Sequence, residues 1–205
     1  MADGARDIIL NKIRKALANP TPMPFPEEGT NPNLFKPVDN DLAVAFAEQF
    51  VGLQGQFSFC ISRDELVLQL NSLLAGKKWK KVYCEDEGLR NWLNLEWFED
   101  LAHCDAAITG CEFLVARTGT MVLSAAQTRG RTASVYAPVH ICIAYTSQLV
   151  PDIGDALAAM QARYGDCLPS FVTFASGPSR TADIEKTLVT GVHGPGEVFL
   201  LLLEG

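Results

Sequence analysis

Apolar residues recur at two different spacings along this chain, and the switch between them predicts its elements. Residues 5–18 place Ile9, Ile13, Ala16 and Leu17 on one helical face, with Lys12, Arg14 and Lys15 elsewhere, the period of an amphipathic helix. Residues 41–51 repeat that period. Short apolar runs then alternate with helical stretches. A strand is expected over 57–61, then a helix through Leu66, Leu70 and Leu73 that Ser62 or Asp64 can cap and Gly76 ends. A strand over 81–84, a helix over 87–95 and a strand over 106–109 follow. The rhythm changes after Gly110. Residues 111–116 and 121–124 flank Thr118-Gly119-Thr120 and read as two strands about a tight turn. Residues 139–145 are strongly β, and 152–164 are helical with Ile153, Leu157 and Met160 on one side. Strands over 171–175 and 198–203 complete the pattern.

Apolar strands separated by helices build a parallel sheet covered on both faces. The closely spaced strands between residues 111 and 145 do not fit pure βαβ winding and call for an antiparallel insertion or a mixed sheet. The expected fold class is therefore α/β, a mixed, mainly parallel sheet with helices on both faces. Pro20, Pro22, Pro24, Pro26, Pro32 and Pro37 crowd one short segment, and each fixes φ and lacks an N–H donor. That segment reads as an extended linker. The expected organisation is an N-terminal helix over 1–18, a proline-rich linker over 19–40 and a single α/β domain over 41–205, since 205 residues leave room for one well-buried domain.

A net charge of −7 makes a nucleic acid a poor partner, because a polyanion needs a basic face to displace its counterions. The longest apolar run, residues 198–203, is strand length and ends in Glu204, well short of the roughly 20 residues of a membrane helix. Arg6, Asp7, Lys12, Arg14 and Lys15 interrupt any leader-like apolar core. A cytoplasmic protein without membrane insertion is expected. Cys60, Cys84, Cys104, Cys111, Cys142 and Cys167 include no C-x-x-C pair, and the three histidines show no H-x-x-x-H spacing. The expectation is buried free thiols, with no metal and no cofactor held by this chain. Lys77-Lys78-Trp79-Lys80-Lys81 reads as a solvated connection with Trp79 turned inward.

The most unusual local sequence is Gly177-Pro178-Ser179-Arg180-Thr181-Ala182-Asp183-Ile184-Glu185. It follows a strand, and ligands of open α/β sheets collect at strand carboxyl ends. Gly177 permits close backbone approach, Ser179 or Thr181 can cap, and Arg180 suits phosphate or carboxylate. The bland alternative pairs Arg180 with Asp183 or Glu185. Gly191-Val192-His193-Gly194-Pro195-Gly196 is a second glycine-rich turn, where His193 could handle protons or bind an anion. Arg131, in Arg129-Gly130-Arg131-Thr132, can project toward the same crevice, whereas Arg129 shows no constraint. His140, among apolar neighbours, is expected to be a hydrogen-bonded structural histidine. The chain carries no Walker A, Gly-x-Gly-x-x-Gly or Gly-x-Ser-x-Gly motif.

In order, Thr118-Gly119-Thr120, Gly130-Arg131, Pro138-x-His140-Ile141, the 177–185 block and Gly191-x-His193-Gly194-Pro195 resemble the lactate-utilisation protein C (LUD domain) family. The resemblance is strong over residues 100–205 and is one of layout before that. It implies a fold similar to the sugar-phosphate isomerase and coenzyme A transferase superfamily. It further implies a non-redox subunit acting with cysteine-rich iron–sulfur partners in the oxidation of L-lactate to pyruvate, the clusters residing in those partners. A second reading is a stand-alone enzyme acting on a phosphorylated or carboxylated metabolite, with Asp183, Glu185 or His193 as catalytic candidates and Arg180 as anion clamp. The expected pocket gathers Thr118, Gly119, Thr120, Arg131, Gly177, Ser179, Arg180, Thr181 and His193 about a small anion. One departure from the resemblance stands out: members of that family commonly carry an acidic residue before Thr-Gly-Thr, where this chain has Arg117.

Overall fold

The apolar runs pair into two sheets, and which side chains each sheet buries follows from strand alternation. The computed structural model describes residues 3–18, 41–126, 132–181 and 189–205. The chain divides into two units, Met1–Lys36 and Pro37–Gly205. In the first, α1 (Asp3–Ala18) leaves Ile9, Ile13 and Leu17 exposed. The proline-rich segment lies outside the described residues.

The second unit opens with α2 (Leu42–Gly52), β1 (Gln56–Cys60), α3 (Arg63–Lys77), β2 (Val82–Tyr83), α4 (Glu87–Leu93) and β3 (Ala106–Thr109). Next come β4 (Phe113–Val115), β5 (Thr120–Ser124), α5 (Ala133–Tyr136), β6 (Val139–Tyr145), β7 (Leu149–Val150) and α6 (Ile153–Tyr164). It closes with β8 (Val172–Ala175), β9 (Arg180–Thr181), β10 (Val189–Thr190) and β11 (Glu197–Leu203). The central sheet runs β1-β11-β6-β3-β2 with every neighbouring pair parallel. Its alternation serves two cores, as a sheet buried on both faces requires. Ile141, Ile143, Phe199 and Leu201 pack with Leu66 and Leu70 of α3 and Leu89 and Leu93 of α4. Cys142, Ala144, Leu200 and Leu202 pack the other way, onto Phe46 and Phe50 of α2 and onto Leu114 and Met121. The fold is thus the expected α/β arrangement, a mainly parallel central sheet flanked by helices.

The antiparallel strands do not extend that sheet. They form a second one, β7-β4-β5-β8, with β4–β5 and β5–β8 antiparallel and β4–β7 parallel. Phe113, Val115 and Val122 on its outer face meet Ala156 and Met160 of α6. The order of layers is helices, parallel sheet, second sheet, helix.

Caps explain most boundaries. Ser62 accepts from Glu65 N at 3.2 Å to start α3, and Asp86 caps α4. Asp152 and Asp155 form a reciprocal capping box at α6. Helix α3 runs one residue past Gly76, and Lys78 takes the left-handed position instead. None of the described helices is long and apolar enough to cross a membrane.

Candidate functional site

The residues 177–181 leave β8, and β8 belongs to the second sheet. They therefore do not lie at the carboxyl edge of the parallel sheet, which the sequence argument assumed. They fold across the amino ends of β6 and β11. Ser179 N donates to Pro195 O at 2.9 Å, Gly191 N to Ser179 O at 3.0 Å, and Gly196 N to Pro138 O at 2.9 Å. Strands β9 and β10 pair Arg180 with Thr190 and Thr181 with Val189. A side chain at Gly194 would stand 2.9 Å from Ser179 Cβ, so glycine lets these two loops touch.

Beneath the loops is a cavity of about 280 Å³ between the two sheets. Met121 and Leu123 of β5, Thr173 and Phe174 of β8, and Val198 of β11 wall it. Gly177, Ser179 and His193 line it from the loops, and His140 of β6 lines it from the core. His140 is 1% exposed. Its Nε2 lies 2.7 Å from Thr109 Oγ1, and that hydroxyl donates to Gly110 O at 2.9 Å. A hydroxyl has one proton to give, so the assignment that satisfies both contacts puts the imidazole proton on Nε2 and leaves Nδ1 as an acceptor. Burial pushes the His140 pKa from 6.5 down to about 4, so the ring is neutral at pH 7.

That depression fixes a pH dependence of stability. The unfolded chain takes up a proton at this residue between pH 6.5 and about 4, where the folded chain does not. The neutral ring's contribution is complete above pH 6.5 and is lost as the pH falls toward 4. It amounts to about 3 kcal/mol. Urea melts of wild type and His140→Asn across this range should converge by that amount on acidification. Parallel curves would show that the ring protonates as easily folded as unfolded.

The remaining expected residues divide. Thr118 and Thr120 hydroxyls are 2.7 Å apart, and Thr120 Oγ1 is 2.6 Å from Ser176 Oγ on the cavity wall. The Thr-Gly-Thr turn thus reaches the cavity through Ser176. Gly119 faces α2 instead, where an added Cβ would stand 2.5 Å from Phe50 N. Gly177 is also closed over by α2's end, 2.7 Å from Leu53 O by the same measure. The Arg180 guanidinium donates to that same Leu53 carbonyl and is not part of the cavity lining. Thr181 is held in β9. Arg131, Asp183 and Glu185 lie outside the described residues, as does Arg129. A cleft of about 410 Å³ does open at the carboxyl edge, beside Arg63, Asp86, Trp92 and Tyr145, and among the described residues none of the expected ones lines it.

Arg117, the charge departure, forks onto Asp152: Nε lies 2.9 Å from Oδ2 and Nη2 2.5 Å from Oδ1. The guanidinium hydrogen bond holds the Asp152 pKa below its usual value. The pair ties the turn before β5 to the start of α6. Five cysteines are buried and free, whereas Cys167 is exposed. Desolvation raises the Cys60 thiol to about 11 and Cys84 to about 12, which keeps both protonated and unreactive. Among the described residues, no group of three His, Cys, Asp or Glu is placed to hold a metal ion. His140 is buried and hydrogen-bonded as expected; its place on the cavity wall was not foreseen. Its signal was a polar side chain on the inward alternation of a central strand, which becomes a wall only because a second sheet stands opposite.

A family model described as LUD domain matches residues 3–203. A lactate utilization protein C of Halalkalibacterium halodurans is 37% identical over 140 residues, 62% of this chain and 61% of that protein. Another, from Bacillus licheniformis, is 33% identical over 58% of this chain and 52% of its own length. Lactate utilization protein C 1 of Bacillus mycoides is 36% identical over 65% of this chain and 67% of that one. The chain thus spans only part of the relatives it matches. A crystal structure of a DUF162 family protein from Deinococcus radiodurans superimposes with a TM-score of 0.61 at 20% identity, covering 79% of this chain and 96% of that one. That likeness shows the fold.

Proposed function

The chain belongs to the LUD domain family, and from that premise we propose that it serves lactate utilisation as a ligand-binding component without a redox centre of its own. In this reading it acts in the cytoplasm beside cysteine-rich iron–sulfur proteins, which take the electrons as L-lactate becomes pyruvate. The observation that carries the proposal is the family match along residues 3–203. The relatives' names supply the pathway. Two features of the chain accord with the division of labour. Its buried thiols are held protonated by desolvation, which suits packing rather than cluster ligation. The inter-sheet cavity is small and mostly apolar, with a few convergent polar groups, which is the usual form of a small-molecule site.

The test is genetic and biochemical together. Deleting the gene should abolish growth on L-lactate while leaving growth on pyruvate intact, and the tagged chain should co-purify with proteins that carry iron–sulfur clusters. Unchanged growth on L-lactate would overturn the pathway. The stand-alone reading makes the opposite prediction, turnover of a phosphorylated or carboxylated metabolite by the isolated chain.

A further inference from the structure

We propose that His140 is the recognition residue of the inter-sheet cavity: its Nδ1 accepts a hydrogen bond from a ligand hydroxyl, so the site selects a small 2-hydroxy acid over the matching 2-oxo acid. The choice of acid rests on the lactate reading; the hydrogen bond does not.

Burying a histidine at this position carries a cost. His140 occupies a position whose neighbours on the same face, Cys142, Ala144, Val198 and Leu200, are all apolar. An aliphatic side chain there would complete the core without burying a polar ring, and a buried polar group is costly unless it is paired. Half of the ring is paired. Thr109 holds Nε2 at 2.7 Å, and Thr109's own proton goes to Gly110 O. This chain fixes both the tautomer and the ring plane, as an orienting hydrogen bond does for histidines that act through their other nitrogen. No hydrogen bond joins Nδ1 to any described residue, and the ring lines the cavity. Because burial keeps the ring neutral at pH 7, the Nδ1 lone pair is available.

The cavity sets the rest. About 280 Å³ admits a ligand of a few heavy atoms, and Met121, Leu123 and Val198 offer apolar contact to an alkyl group. Ser179 and His193 supply polar groups from the loops. A hydroxyl can donate to Nδ1. A ketone presents only lone pairs and leaves Nδ1 unpaired, and sites built around a hydrogen bond reject analogues that lack it.

The experiment uses the full chain with 15N-labelled histidine and follows the ring nitrogens by two-bond 1H–15N spectra. Four probes are titrated: L-lactate, pyruvate, 2-propanol and acetone. L-lactate and 2-propanol should shift the His140 Nδ1 resonance saturably and bind roughly ten-fold tighter than their keto counterparts. In His140→Gln, whose amide reaches the Nε2 position, the preference should vanish. In His140→Asn, whose carbonyl stands near the Nδ1 position, part of it should return. The wild-type spectra decide if either variant fails to fold. Equal binding of alcohol and ketone, or no shift at Nδ1 from any probe, overturns the assignment. L-lactate bound with Nδ1 unmoved overturns it while sparing the lactate reading. A shift from 2-propanol but none from L-lactate supports the assignment and sinks the choice of acid.

Discussion

Replacing Gly119 with alanine is expected to cost about 2–5 kcal/mol of stability, a large share of the roughly 5–15 kcal/mol that holds a domain folded. Two penalties add. Gly119 has φ +58°, a left-handed conformation that costs a residue with a Cβ about 1–2 kcal/mol. The new methyl would also stand 2.5 Å from Phe50 N and 2.8 Å from Gln49 C. Those are backbone atoms of α2, so relief requires moving the helix. Helix α2 cannot move freely, because Phe46 and Phe50 are fully buried, with stacked rings 5.4 Å apart, in the core beneath the central sheet. Overpacking of this kind typically costs a further 1–3 kcal/mol. The control is Gly76→Ala. Gly76 lies in α3 with nothing within 4 Å of an added Cβ, so alanine there should be neutral or stabilise by up to about 1 kcal/mol. Urea midpoints of the two variants should therefore move in opposite directions, with unfolding free energies that differ by several kcal/mol. Near-equal midpoints would mean that α2 yields to the turn.

The same glycine shows what the sequence could and could not convey. A glycine in Thr118-Gly119-Thr120 announces that something approaches the backbone closely; it does not say what. A ligand is what the turn was expected to meet, and the structure shows a helix from nearly 70 residues earlier. Gly177 and Arg180 follow the same logic, since both meet Leu53 at the end of α2. Long apolar runs were legible: 106–109 and 139–145 form strands with the expected bounds, because buried strands leave no other reading of such runs. Assignment to sheets was not. Alternation says which residues share a face, but Met121 and Val122 are both fully buried, so no polar face marks β5 as belonging to a second sheet. Strands β7, β9 and β10 are two residues long and carry no period at all. Arg117 was legible as an oddity of charge, while its partner Asp152 lies 35 residues further on.

Glu112 went unnoticed in the sequence for a related reason: an acid beside a strand is ordinarily solvated. In the fold it is 1% exposed and accepts from Ser124 Oγ at 2.5 Å, Tyr164 Oη at 2.8 Å and Arg163 Nη1 at 2.6 Å. One carboxylate thus joins the β4–β5 hairpin to the end of α6. Glu112→Ala should cost about 2–4 kcal/mol. Breaking a buried pair from one side costs about 3–5 kcal/mol. The lower range applies because Arg163 is 46% exposed and can turn its charge to water, whereas the Tyr164 and Ser124 hydroxyls lose this acceptor. The same asymmetry predicts that Arg163→Ala costs at least as much as Glu112→Ala, since it strands a carboxylate that cannot reach water, and that the double variant costs less than their sum. Tyr164 supplies an independent readout. Desolvation and the Glu112 hydrogen bond both raise its phenol pKa. In Glu112→Ala the tyrosine should therefore ionise at lower pH, visible by ultraviolet absorbance. A Glu112→Ala variant as stable as wild type, with an unshifted tyrosine, would mean that the carboxylate is not what holds α6 to the second sheet.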